Sequence, residues 1–127
     1  MTTSQSPKKW TAKQIALCDA LHSTVEDIAS SNKVESFTVG VTGSLSSRLS
    51  SYRNFCKKND SELRGFVILD WGHSPKTVVV AEEMLFDRLH QKHKKYATNN
   101  TKRYHRAVNK KLEDQYLYMA WWAPPIK

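Results

Sequence analysis

The sequence predicts an α/β (α+β) fold, a small three-stranded mixed sheet flanked by helices. Three observations predict it. Apolar residues recur at helical spacing in three separate stretches. Three short runs rich in β-branched and aromatic residues stand apart from them. The two kinds of stretch alternate along the chain, and alternation of this sort implies helices packed on a shared sheet.

The first helix is expected over residues 10–31. Thr11 and Gln14 form a capping-box signature, with Trp10 and Ile15 placed as a hydrophobic staple. Ile15, Cys18, Leu21, Val25 and Ile28 then mark one face. A strand follows over residues 36–42, where Phe37, Val39 and Val41 alternate with Thr38, Gly40 and Thr42. After Gly43, Ser44 caps a second helix to about residue 57, with Leu45, Leu49, Tyr52 and Cys56 on one side. Residues 65–71 form the next strand. The unbroken run Phe66, Val67, Ile68, Leu69 reads as a central strand covered on both faces. Gly72 and His73 turn the chain, and Ser74 before Pro75 starts a third helix that extends to about residue 94. A basic stretch follows, with a short helix expected near 104–112. A last strand spans residues 116–122, and Pro124 and Pro125 end it.

At 127 residues the chain fits one domain, over 10–127, preceded by a polar tail at 1–9 that is expected to fray. A hydrophobic fraction of 39% sets it apart from disordered compositions. The net charge of +8 favours polyanionic partners, nucleic acid first among them. Cys18 and Cys56 both fall on apolar helix faces and are too far apart in sequence for a metal-type pair, so they read as buried free thiols. No apolar run approaches a membrane span and no signal peptide opens the chain. A cytoplasmic location and no membrane partner are therefore expected.

Two polar side chains fall where apolar ones belong. On the second helix Arg48 lies within the apolar stripe, one turn before Tyr52. On the third, Val78, Leu85, Phe86 and Leu89 define a stripe that contains Glu82, while Glu83 turns to the flank. A buried carboxylate is costly unless it is paired or holds a metal. Each residue also has a structural reading: Arg48 as a snorkelling cation, Tyr52 as a core aromatic, Glu82 as the ion-pair partner of Arg48. Directed together at one sheet, the three suit phosphodiester hydrolysis. A carboxylate can hold Mg²⁺, a cation can stabilise phosphate charge, and a phenol can orient or deprotonate water.

The segment Thr38-Val39-Gly40-Val41-Thr42-Gly43 resembles the YIG strand and turn of GIY-YIG nucleases. Arg48 follows Gly40 at the spacing of that family's arginine, and Tyr52 stands one turn later, where many members carry tyrosine or histidine. Ala81-Glu82-Glu83-Met84-Leu85-Phe86 resembles the helix that bears the family's metal-binding glutamate, and Lys95-Tyr96 resembles the pair that precedes its asparagine. The resemblance runs from residue 37 to about 96. The chain departs from the pattern at Thr38, which replaces the YIG tyrosine, at Ala97, which stands near the asparagine position, and in lacking a preceding GIY strand. The resemblance implies a Mg²⁺- or Mn²⁺-dependent endonuclease with no organic cofactor, in which Glu82 holds the metal and Arg48 binds the scissile phosphate. One strand missing at the start and one spare at the end imply that the C-terminal strand takes the place of the usual first strand. Tyr118, or Tyr116, would then face Arg48 and Glu82.

Residues 88–111 contain no acid. Lys94, Lys95, Lys102, Arg103, Arg106, Lys110 and Lys111, interleaved with Tyr96 and Tyr104, are the expected nucleic-acid contacts, with DNA favoured over RNA. His90 and His93 share a helical face, but no further zinc ligand is evident. Two rival functions remain open: a nucleic-acid-binding module without chemistry on the same scaffold, and a basic protein–protein adaptor using Trp121 and Trp122.

Overall fold

The computed structural model describes residues 11–70, 75–90, 92–97 and 116–125. The elements in order are α1 (Ala12–Ala29), β1 (Ser36–Thr42), α2 (Leu45–Lys58), β2 (Glu62–Asp70), α3 (Pro75–Leu89) and β3 (Tyr116–Ala123). The expected tail, the Trp10 half of the staple, the Gly72–His73 turn, the Ser74 cap and the helix at 104–112 lie outside the described residues.

The capping signals at the starts of α1 and α2 are realised. Thr11 Oγ1 accepts from the Gln14 amide at 3.0 Å and Gln14 Oε1 accepts from the Thr11 amide at 2.9 Å, which closes the capping box. Cys18, Leu21, Val25 and Ala29 form the buried stripe of α1, whereas Ile15, one turn from the cap, is 42% exposed. Ser44 caps α2 through the Ser47 amide.

The sheet order is β1-β3-β2, and both pairings are antiparallel. The expected mixed sheet is corrected accordingly. The crossover through α2 does carry β1 and β2 in the same direction, but β3 inserts between them, antiparallel to each. The one parallel contact among the described residues is a single bridge, Phe37 to Tyr96, on the outer edge of β1. There the Phe37 amide donates to the Lys95 carbonyl at 3.0 Å and the Ala97 amide to the Phe37 carbonyl at 2.8 Å. The expected placement of the C-terminal strand beside residues 36–42 is observed, from Ser36 opposite Trp122 to Thr42 opposite Tyr116.

The central strand is β3, not the expected 65–71 run. Leu117, Tyr118, Met119 and Ala120 are all buried, which requires cover on both faces. β2 starts earlier than expected, at Glu62, and forms an edge. Register shifts at Leu63/Gly65 and Ile68/Asp70 interrupt its alternation, and Ile68 is left 41% exposed. Its continuous apolar run is thus a bulged edge strand and not a two-sided one.

Side-chain alternation divides the molecule into two layers. On one face Phe37, Val39, Leu117 and Met119 pack with Val78, Ala81, Met84, Leu85 and Leu89 of α3 and the stripe of α1. On the other face Ala120 and Trp122 pack with Cys56 of α2, joined by Tyr52, Phe55, Leu63 and Phe66. Both cysteines are free and buried, and burial raises both thiols above the ordinary range, so they serve as small apolar filling. Among the described residues no helix is long and apolar enough to cross a membrane.

Candidate functional site

The α2 face of the sheet carries the polar residues. Tyr118 sits at the middle of β3 and pairs directly with Gly40 of β1. Its ring lies over that glycine so closely that a Cβ at Gly40 would overlap the phenol. The glycine of the YIG-like segment is therefore required by close approach of an aromatic ring, not by an unusual backbone angle. Gly65 does the same for Trp121 across the sheet.

Tyr52 comes down from α2 to meet Tyr118, and the two hydroxyls are hydrogen bonded at 2.9 Å. Thr38 of β1 lies on the same face and favours the ionised form of the Tyr52 hydroxyl slightly, as the smallest of the influences on it. The platform beneath is aromatic. Phe66 stacks on Tyr118 with centroids 5.0 Å apart and planes 15° apart, and Trp122 stacks on Tyr52 at 6.0 Å. Arg48, one turn before Tyr52, is half-buried, and its Nε is buried with no hydrogen-bond partner. It stands at the end of the first turn of α2, where the helix dipole disfavours a cation and where no acidic residue compensates. The helix end and the guanidinium together favour an anion at this point.

Burial pushes the hydroxyls of Tyr52 and Tyr118 above the usual phenol range, and the neighbouring Tyr52 pushes Tyr118 further, while Arg48 acts in the opposite sense on both. Both phenols are neutral at physiological pH. A general base works best with a pKa near the operating pH. A neutral phenol at Tyr52 offers a bound water both a hydroxyl donor and an acceptor.

Glu82 lies on α3, hence on the helix of the opposite layer. Arg48, Tyr52 and Glu82 are expected to be directed at one sheet; α2 and α3 both pack on that sheet, on different faces. The Glu82 carboxylate still acts on Tyr118, raising its pKa as the smallest of the contributions. Arg48, Tyr52 and Tyr118 are thus gathered, and Glu82 approaches them electrostatically from the other layer.

No group of three metal-ligating side chains occurs among the described residues. A divalent ion held through Glu82 would take its remaining ligands from water and phosphate, which suits Mg²⁺. The His90/His93 pair belongs to no group of three metal-ligating side chains among the described residues. His90 stacks on Phe86 at 4.5 Å. His93 Nε2 meets Glu26 at 3.3 Å, its Nδ1 accepts from the Lys95 amide, and its ring meets Phe37 edge-on.

Of the expected nucleic-acid contacts, Lys94 is exposed. Lys95 is engaged structurally: its ammonium donates to the carbonyls of Ala29 at 2.6 Å and Ser31 at 3.1 Å, closing the C-terminal end of α1. Lys102, Arg103, Arg106, Lys110 and Lys111 lie outside the described residues. Trp122 is only 6% exposed and belongs to the α2-side core, which removes it from the adaptor surface.

Sequence reasoning misses Phe66 and finds Thr38 only as a departure from a pattern. The alternation of β1 places Thr38 on the face of Gly40, so it is locatable once that face is known. Phe66 meets Tyr118 only through strand pairing, and no local signal marks it. No family model, no curated protein and no solved structure matches this chain.

Proposed function

We propose that this domain processes nucleic acid by divalent-metal-dependent phosphodiester hydrolysis, with DNA as substrate. The observation that carries the reading is the cluster of Arg48, Tyr52 and Tyr118 on an aromatic platform, with a guanidinium Nε buried without a partner. A cation, two oriented phenols and a helix start together form a surface for one phosphate and one water. Arg48 binds the scissile phosphate and offsets charge as it develops. The paired hydroxyls of Tyr52 and Tyr118 hold water in line. As that water attacks phosphorus the P–O ester bond breaks, the water's proton passes to solvent, and the leaving oxygen takes one from solvent. Glu82, whose charge is felt at Tyr118 although α3 covers the other face, is the residue that would hold Mg²⁺ or Mn²⁺ for charge neutralisation at the phosphate. The resemblance of residues 37–96 to GIY-YIG nucleases supports the same roles, and the pairing of β3 beside β1 is what a rearranged version of that fold requires.

A second reading is a binding module without chemistry. It is favoured by the neutrality of both phenols and by the place of Glu82 in the opposite layer. Cleavage of single-stranded, duplex and branched DNA with Mg²⁺ or Mn²⁺ separates the two. Wild type should cleave at least one substrate, and Glu82→Ala should lose cleavage while keeping its circular dichroism spectrum. Salt-sensitive binding without cleavage by either protein selects the binding module. Equal cleavage by both removes Glu82 from the mechanism.

A further inference from the structure

We infer that the outer surface of α2 is a track for the DNA backbone, with Arg53 and Lys57 as its phosphate-binding cations. The inference rests on the proposed function and adds a surface that sequence reasoning did not assign. The fourteen residues of α2 include Arg48, Arg53, Lys57 and Lys58 and no acid. Arg48 points to the phenol cluster. Arg53 and Lys57, one turn apart, leave the helix on the opposite flank, beside the first residues of β2.

There they line a shallow open cleft with Ser61, Glu62 and Leu63. Ser46 and Ser50 continue the same exposed row toward the helix start, adding hydroxyl donors of the kind that bind phosphate oxygens. Of the acids nearby, Glu62 lines the same cleft but is paired with a cation of its own strand. The Glu62 carboxylate meets Arg64 at 3.3 Å, and Asp60 follows the helix in a left-handed turn with φ 54°. Lys57 and Lys58 lie in the last turn, where they also complement the helix dipole, but Arg53 is mid-helix and has no such role. An α-helix is about 10–12 Å across. A DNA strand whose phosphate lies at Arg48 therefore reaches Arg53 and Lys57 by crossing α2. Charge complementarity selects a polyanion as occupant, and the proposed phosphate contact at Arg48 selects a nucleic acid among polyanions.

The test is the salt dependence of binding to a fluorescein-labelled duplex, read by anisotropy for the full chain. Each phosphate neutralised contributes a slope of about −0.9 in log K against log salt. The variant Arg53→Ala/Lys57→Ala should bind with a slope shallower by about 1.8, because two cations no longer neutralise phosphates. The control Lys13→Ala/Lys33→Ala removes the same charge from exposed sites away from α2 and should leave the slope within a few tenths of wild type. An unchanged slope in the α2 variant, or equal changes in both variants, overturns the track while leaving the nucleic-acid reading intact. Absence of any DNA binding by wild type overturns the proposed function itself. All the substituted residues are exposed, so folding is preserved, and circular dichroism checks it.

Discussion

The two faces of the sheet are built from different chemistry. Under α1 and α3 the packing is aliphatic, with Phe37, Leu85, Leu89, Leu117 and Met119 almost wholly excluded from solvent. Under α2 the layer is thinner and aromatic, and it includes two phenols, a threonine and a guanidinium. A single strand, β3, serves both. Leu117 and Met119 point one way, Tyr118 and Ala120 the other. The stability of the domain therefore resides mainly on one side and its candidate chemistry on the other, with the backbone of β3 as their shared support.

The largest effect should come from the aliphatic face. Phe37→Ala removes a ring that is 0% exposed, and it should cost about 3–5 kcal/mol in urea unfolding. A cost below about 1 kcal/mol would show that this face does not dominate stability. On the other face, Gly40→Ala forces the Tyr118 ring aside and should cost about 1–3 kcal/mol by overpacking. The double variant Gly40→Ala/Tyr118→Ala should relieve that strain, a coupling readable in a double-mutant cycle.

The Lys95 ammonium, against the end of α1, should contribute about 1 kcal/mol to stability. Lys95→Met should lower the melting temperature and leave the salt slope of DNA binding unchanged. A slope shallower by about 0.9 would return Lys95 to the phosphate-binding residues.

The smallest effect at neutral pH, and the most specific, concerns the phenol pair. The folded state raises both phenols above their unfolded value of 10.0, so it favours their neutral forms. That contribution is complete below the unfolded value and is lost as pH rises above about 10 toward the folded values. Stability should therefore fall in alkali above about pH 10, and tyrosine absorbance should show two late-ionising groups. Tyr118→Phe should remove part of the alkaline slope while costing about 1 kcal/mol at neutral pH from the missing hydrogen bond. An alkaline slope identical to wild type would mean that Tyr118 ionises freely in the folded state.

Much of this was legible in the sequence, for reasons that are local. The Thr11/Gln14 capping box, the Ser44 cap and the helical spacing in α1 are short-range patterns, and the structure realises them. Arg48 and Tyr52 share a helix and stand one turn apart, so their common direction followed from helical geometry. The spare C-terminal run could be paired with residues 36–42 because one strand lacked a neighbour.

Sequence by itself determined the kind and order of the described elements and the direction of Arg48 and Tyr52 relative to their own helix. Tertiary structure alone decided that β3 is central, that the sheet is antiparallel, and that α2 and α3 lie on opposite faces. Periodicity places a side chain on one face of its own element, but not that element in the sheet. Strand order depends on pairings between residues far apart in the chain, such as Val39 with Met119 and Phe66 with Ala120. Those pairings are chosen by the joint burial of both faces of β3, a property that no single segment of sequence carries.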